Sequence, residues 1–260
     1  MPKLIVNADD FGFSAHTLEW TIRGFECGAL SSATVMAGAM ETVAAVAWAK
    51  EHPQFSFGVH FIFSDETPCE RPEKIPSLID PATGKLWQTR QFILRSFSRR
   101  IRLAELKAEL RAQYLQLQQL GLPISHVDGH GHLHRLPLSL RALSELAREL
   151  DFGRIRRTQD LWMGGGTSLP MKLLNRAMQR RIERQFVCAD HFLMTAGKIG
   201  IEASGWFAEA LKKLPKGVTE IGIHPGIDEE WRQLDTEGPF ATQRPKEVAL
   251  ITYNDLPKGI

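Results

Sequence analysis

The sequence predicts an α/β fold, a single (β/α) barrel-like domain built on a parallel sheet. Short apolar runs alternate with helical apolar patterns along the chain, in roughly six or seven strand–helix units, as parallel pairing requires. Carboxylates or histidines stand at the C-terminal ends of the first, third, fourth and last predicted strands, the rim on which parallel barrels build their sites. A chain of 260 residues, 43% hydrophobic and 24% charged, suits one such domain spanning 1–260.

The first strand is Leu4-Ile5-Val6, ending at Asn7-Ala8-Asp9-Asp10-Phe11-Gly12, so two adjacent carboxylates sit at its tip. Ser14 is the N-cap of a helix whose stripe is Leu18, Ile22 and Phe25, running up to Gly28. β-Branched alternation over Ser31 to Met36 gives the second strand, and an alanine-rich helix follows from about Met40 to Lys50. Phe55 to Phe63 is the third strand and carries His60. Ser64 to Trp87 holds four prolines and shows no period, which makes it a long loop, the kind that serves as a lid or binding loop.

From Ser96 to Leu120 the spacing predicts one helix, with Leu103, Leu106, Leu110, Tyr114, Leu117 and Leu120 facing the core and the charges facing water. Gly121-Leu122-Pro123 stops it, and Ile124 to Val127 forms the next strand. A helix with Leu138, Leu140, Leu143, Leu146 and Leu150 follows. Gly153 to Arg157 reads as a short strand whose basic residues mark an exposed edge. Gly164-Gly165-Gly166 reads as a loop, since it lacks the lysine and strand-to-helix setting of a nucleotide loop. Met171 to Phe186 is a basic amphipathic helix with a solvated face, and Ala189 to Phe192 a short segment. Trp206 to Leu214 is helical, and Val218 to Ile223 is a late strand ending at His224-Pro225-Gly226. A last helix is predicted from Pro245 to about Ile251.

The formal net charge of +2 gives no case for nucleic acid as partner. Neither the N-terminus nor any later stretch offers about 18 unbroken apolar residues, so no stable membrane insertion is expected. Cys27, Cys69 and Cys188 lie too far apart for a ligand pair or a disulfide framework, which fits a reducing, cytoplasmic setting.

The densest chemistry lies in His126-Val127-Asp128-Gly129-His130-Gly131-His132-Leu133-His134, where four of the chain's nine histidines, with Asp128 between the first two, fill every second position. Imidazoles two apart in an extended segment share a face, and imidazole is the commonest metal ligand. Taken singly, each rim residue has a bland role: Asp9-Asp10 a turn, His60 a core histidine, His224 a strand terminus. Together they supply a mononuclear hydrolytic site. One carboxylate and two histidines bind an ion, a second carboxylate takes a proton from water, and a distant histidine protonates a leaving group. A phosphoesterase on a barrel is the rival, although such sites usually recruit a second ion. A silent sugar-binding protein is another, although it would not need adjacent carboxylates.

At these residues the chain resembles the YdjC-like carbohydrate deacetylases, the family of the ChbG and HpnK proteins. Leu4 to Ser14, Gly58-Val59-His60-Phe61, His126 to His134 and Ile223-His224-Pro225-Gly226 resemble its four motifs, in family order. The resemblance implies a barrel-like fold and removal of an acetyl group from an N-acetylated amino-sugar unit of an oligosaccharide or glycolipid. It implies one divalent metal ion, magnesium or zinc, held by Asp10, His60 and His130, with Asp9 as base and His224 as acid. His126, His132 and His134 are left as supporting groups, with Asp128 orienting an imidazole. A homodimer is also expected, from the resemblance and from Phe61, Phe63, Phe92 and Phe97, more aromatics than one core needs.

Overall fold

The computed structural model describes residues 1–161, 168–194, 211–226 and 248–258. In chain order come β1 (Lys3–Phe11), α1 (Ala15–Glu26), β2 (Ser32–Val35), α2 (Thr42–Glu51) and β3 (Ser56–Phe61). Then follow α3 (Thr89–Phe97), α4 (Leu103–Gln119), β4 (Ile124–Gly129), α5 (Pro137–Leu150) and α6 (Leu169–Ile182). The described chain closes with β5 (His191–Met194), β6 (Val218–Ile223) and β7 (Ala249–Leu250).

The named strands pair in parallel in the spatial order β4-β3-β2-β1-β6-β5, with β7 beside the start of β1. β1 is central. Its residues Lys3 to Ala8 pair with Val218 to Ile223, and Asn7 to Phe11 pair with Ser32 to Val35. Being covered on both faces, it reads as a continuous apolar run, and Leu4, Ile5, Val6 and Ala8 are fully buried. Residues 153–161 run along the gap beyond β4, joined by single bridges from Val127 to Ile155, Arg154 to Val187 and Leu161 to Leu193. The result is the predicted α/β domain, with its parallel sheet curled into a half-barrel and helices outside it.

Several elements form for the reasons the sequence offered. Ser14 caps α1 by accepting from the Thr17 amide at 3.2 Å, while the Thr17 hydroxyl accepts from the Ser14 amide at 2.9 Å. Phe25 of that helix packs on Trp48, Phe55 and Phe57, with ring centroids 4.4 to 5.6 Å apart.

Other expectations are corrected. The helix predicted from Ser96 starts at Leu103; Ser96 and Phe97 instead end α3, and Arg99 breaks the chain with φ 58°. Gly153 to Arg157 makes isolated bridges instead of a strand. Its arginine at 156 is fully buried, so the segment is no exposed edge. Of the predicted C-terminal helix, the described part is β7, because Ala249 and Leu250 find open pairing positions beside Lys3 and Leu4. Gly164 to Gly166 and most of the predicted helix Trp206 to Leu214 lie outside the described residues. Phe61, Phe63 and Phe92 are spent inside this chain's own core, which removes the aromatic surplus as an argument for a dimer; Phe97 alone of the four is exposed.

The charged face of α4 is also not all in water. Glu105, Glu109 and Gln113, spaced four apart, are buried beside the leucine stripe. Gln113 accepts from the Ile62 amide and donates to the Ile62 carbonyl, both at 2.8 Å. Glu109 accepts from the amides of Cys69 and Glu70 at 2.9 and 2.8 Å, and Glu105 from that of Ser77 at 2.6 Å. The long loop after His60 is thereby stapled to a helix through its backbone. Gln113→Leu should therefore cost about 2–4 kcal/mol, since it strands a buried N–H and a buried C=O of Ile62. Urea denaturation would show this as a lower midpoint at unchanged m; a loss under about 0.5 kcal/mol would mean that water replaces both bonds.

Candidate active site

Strand geometry places Asp9 and Asp10 on opposite faces of a regular strand, yet both reach one site. A register shift in β1 between Ala8 and Phe11 resolves this. Asp10 there adopts φ 59°, a left-handed conformation that aspartate tolerates better than most residues. The kink turns Asp10 toward β3 and β4 while Asp9 keeps its inward direction.

Asp10 Oδ1 lies 3.1 Å from His60 Nε2 and 2.9 Å from His130 Nδ1. His60 ends β3, and His130 opens the 3-10 turn His130–Arg135 after β4. One oxygen and two imidazole nitrogens thus converge within 4.8 Å of one another. For bonds of about 2.1 Å at tetrahedral angles, donors lie roughly 3.4 Å apart, so this set fits a divalent ion. The donor chemistry fits as well. Asp128 Oδ1 accepts from His60 Nδ1 at 2.7 Å, which commits a proton to that nitrogen and turns Nε2 toward Asp10, where it donates to the carboxylate when protonated and offers its lone pair to an ion when not. Burial pushes the Asp10 carboxyl up, but its bonds to His130 and His60 overcome this and hold it well below the usual range. A second trio, Asp9, His60 and Asp128, is also close enough to hold an ion. It suits one poorly, because a guanidinium already occupies both carboxylates.

That guanidinium is Arg156, and the sequence reading missed it. Its Nη1 and Nη2 donate to Asp9 Oδ2 and Oδ1 at 2.7 and 2.6 Å, a bidentate clamp. Nη1 also stands 2.7 Å from Asp128 Oδ2, and Nε donates to Glu220 Oε1 at 2.7 Å. Asn7 Nδ2 adds a bond to Asp9 Oδ1 at 2.9 Å and one to Thr34 Oγ1 at 3.1 Å; Thr34 in turn donates to Asp128 Oδ2 at 3.1 Å. Burial raises the Asp9 carboxyl, and Arg156 more than reverses it, holding Asp9 far below the usual carboxylate range. A visible signal was Asn7, a polar residue inside the apolar first strand. Arg156, by contrast, looked like one of three surface arginines.

The histidine run does not converge as a whole. His126 and Asp128 share the inner face of β4, but His126 lies deep, its ring stacked on Tyr253 at 3.6 Å between centroids. Gly131 and His132, with φ 59° and 54°, turn the chain out of the strand direction, so the later histidines leave the shared face. His132 contacts Met194 through Nε2, and His134 is buried. Only His130 joins Asp10. At the end of β6, His224 Nε2 stands 4.0 Å from Asp9 Oδ2, partly exposed. All five rim residues predicted from the sequence are therefore in one place.

The sequence profile described as YdjC-like protein matches residues 3–259. A carbohydrate deacetylase of Brevibacillus brevis is 33% identical, over 99% of this chain and 94% of its own. A chitooligosaccharide deacetylase of Yersinia enterocolitica is likewise 33% identical, over 56% of each chain. In three dimensions, the crystal structure of an Enterococcus faecalis V583 protein named for cellobiose-phosphate cleavage superposes with TM-score 0.77. It covers 97% of this chain and 98% of its own at 22% identity. That likeness speaks to the fold.

His134 gives the site's surroundings a measurable pH response. Burial, helped by Arg156 and Arg135, lowers its pKa to about 3, so the fold keeps it neutral while the unfolded chain protonates near 6.5. A lowered histidine contributes stability that is lost as pH falls through 6.5 toward 3. Between pH 7 and 5 this amounts to about 2 kcal/mol for one proton. His134→Leu should accordingly weaken the pH dependence of unfolding by about 2 kcal/mol over that interval. Urea titrations of both proteins at both pH values test it, and equal pH slopes would show that His134 titrates in the fold as it does in the unfolded chain.

Proposed function

The chain belongs to the YdjC-like protein family, and from that premise and the rim geometry we propose that it is a metal-dependent carbohydrate N-deacetylase. Its 1–260 unit would remove the acetyl group from an N-acetylated amino-sugar unit of an oligosaccharide or glycolipid. The observation that carries this reading is the convergence of Asp10, His60 and His130 beside an arginine-clamped second carboxylate. The names of the relatives support the substrate class.

Asp10, His60 and His130 would hold the divalent ion, magnesium or zinc. When bound there, such an ion polarises an acetamide carbonyl and acidifies a water. Asp9 takes the proton of the attacking water. Arg156 fixes its direction and keeps it ionised, at a cost in basicity, so Asp9 serves as base only toward a water that is already acidified. The remaining lone pair of Asp9 Oδ2, on the side of His224, is the acceptor. His224 gives its proton to the departing amine nitrogen, and acetate and a free amino sugar leave. Asp128 orients His60.

Room for a sugar lies on the same rim. A cavity of about 300 Å³ is lined by Phe13, Met36, Met40, Ile62, Glu66 and Thr67. The Phe13 amide donates to the Asp10 carbonyl at 3.0 Å, which ties this wall to the metal ligand. The mixture of apolar side chains and a carboxylate suits a ring with one apolar face and hydroxyls at its edge.

Among the described residues no helix is long and apolar enough to cross a membrane, and the three cysteines are unpaired. We assign the protein to the cytoplasm on the cysteine argument. For assembly we propose a homodimer, with Leu94 and Phe97, exposed three apart on α3, as an apolar strip for it to cover. Sedimentation at micromolar concentration should give twice the chain's 29.3 kDa, and a persistent monomer would refute the dimer.

The two aspartates should separate experimentally. Asp10→Asn weakens metal binding, because an amide is a poorer donor than a carboxylate, and excess metal partly restores activity. Asp9→Asn keeps the ion but loses the rate, on the order of 10²–10⁴-fold, and added metal does not restore it. Acetate release from N-acetylglucosamine oligomers, run beside a generic phosphatase substrate and with elemental analysis, reads all of this. Reversed metal contents would exchange the two roles. Phosphate release without acetate release would overturn the deacetylase reading.

A further inference from the structure

We propose that Glu220 and Tyr253 are positioning residues for the reaction, holding Arg156 in the orientation that presents Asp9 to the substrate. The inference rests on the deacetylase reading and extends it to two residues that never meet the sugar. Glu220 pairs with Ile5, four residues before Asp9 along the neighbouring strand, so its backbone lies on the order of 13 Å below the rim and its side chain reaches up to Arg156. Its two carboxylate oxygens are both in use. Oε1 accepts from Arg156 Nε at 2.7 Å, and Oε2 accepts from the Tyr253 hydroxyl at 2.5 Å.

The mechanics follow from the shape of a guanidinium. It is a rigid plane with donors along its edges, and here both edges are held, Nε by Glu220 and the Nη pair by Asp9. With the Nε edge released, only the Nη edge stays held, by Asp9 and Asp128, and the plane can tilt about that edge and take the Asp9 carboxylate with it. Tyr253 secures the lower anchor. Its amide donates to Ser56 Oγ at 3.0 Å, and its ring stacks on His126 with 7° between planes. Packing alone does not explain the choice of residues. Glu220 and Tyr253 are fully buried, and packing alone would be served as well by a wholly apolar set of similar volume in place of the buried charges. Glu220 is also a third carboxylate around one cation, which a site needing only neutralisation of Arg156 would omit. The anchor reaches the chemistry from the far end of the sequence: the turn Tyr253–Asp255 follows β7, which is itself paired to the start of β1.

The test compares four proteins, each metal-loaded and corrected for folded fraction. Glu220→Gln keeps both bonds, with its amide oxygen accepting from Arg156 and its NH₂ donating to the Tyr253 oxygen. Its kcat should stay within about threefold of the wild type. Glu220→Leu should lose about 10–100-fold in kcat, with KM and metal content unchanged, as a small misplacement near the reacting atoms does. Tyr253→Phe should lose about 3–10-fold in the same pattern, and it carries the test where Glu220→Leu does not fold. A merely structural role would lower the melting temperature and leave kcat per folded molecule alone; that outcome overturns the proposal, as does a loss confined to KM or to metal content. The Arg156 Nε–H resonance in a proton–nitrogen spectrum gives a readout independent of turnover. It should move in Tyr253→Phe and hold in a surface control such as Lys50→Gln, and an unmoved resonance would overturn the anchor. Wild-type protein that releases no acetate would remove the deacetylase reading, and the resonance would then decide the anchoring by itself.

Discussion

Arg156 is the contact on which the rest of the site depends. One guanidinium, fully buried, touches carboxylates from three strands: Asp9 on β1, Asp128 on β4 and Glu220 on β6. β1 and β6 are paired, but β2 and β3 stand between them and β4. The arginine therefore fastens the curled sheet across its interior. Such a cluster is a poor way to gain stability, since desolvating so many charges consumes most of what their attraction returns. What it supplies is direction. Asp128, held by Arg156 on one oxygen, presents the other to His60, and His60 in turn faces Asp10. The orientation of a histidine at the rim is thus set from inside the barrel.

A second constraint is the period of a strand. Two adjacent carboxylates cannot both face one site from a regular strand, and the chain solves this with a shift of register at Asp10. The same logic recurs after β4. There the extended segment carries His126 and Asp128 inward, and left-handed turns at Gly131 and His132 then redirect the chain so that His130 alone stays at the rim. Both devices put local backbone cost where the chemistry is, a common feature of functional sites.

Much of this was legible beforehand. The parallel sheet follows from the alternation of apolar runs and helical stripes, and the rim follows from polar residues placed at the strand ends. Positions such as Leu106, Leu110 and Leu117 went to the core because a period of 3.6 leaves them little choice. What pattern reading could not supply were pairings between distant residues. Arg156 belongs to a segment that looks like a basic surface, and only the partners it finds at positions 9, 128 and 220 make it a core residue. Glu109 and Gln113 were misjudged for the same reason: they look solvated on a helical wheel, yet they serve backbone amides that the sequence does not display. β7 was missed because a two-residue strand exists only by virtue of the free pairing positions beside Lys3 and Leu4.

Charge balance ties the ion site to the arginine. Asp9, Asp10 and Asp128 surround the rim interior with three carboxylates, and Arg156 answers one of them. Glu220, further down, is pushed by burial toward its neutral form, with Arg156 and the Tyr253 hydroxyl pulling the other way. At the rim itself three carboxylates stand against one guanidinium, an excess of negative charge that suits a cation. Burial by itself would lower the pKa of His60, yet Asp128 and Asp10 raise it well above the usual value, the response of an imidazole in a site with excess negative charge. A proton there offsets part of what an ion would offset in full. The two demands, a low-lying base at Asp9 and an ion at Asp10, are met together because one buried cation is enough to separate the carboxylates into a clamped one and a free one.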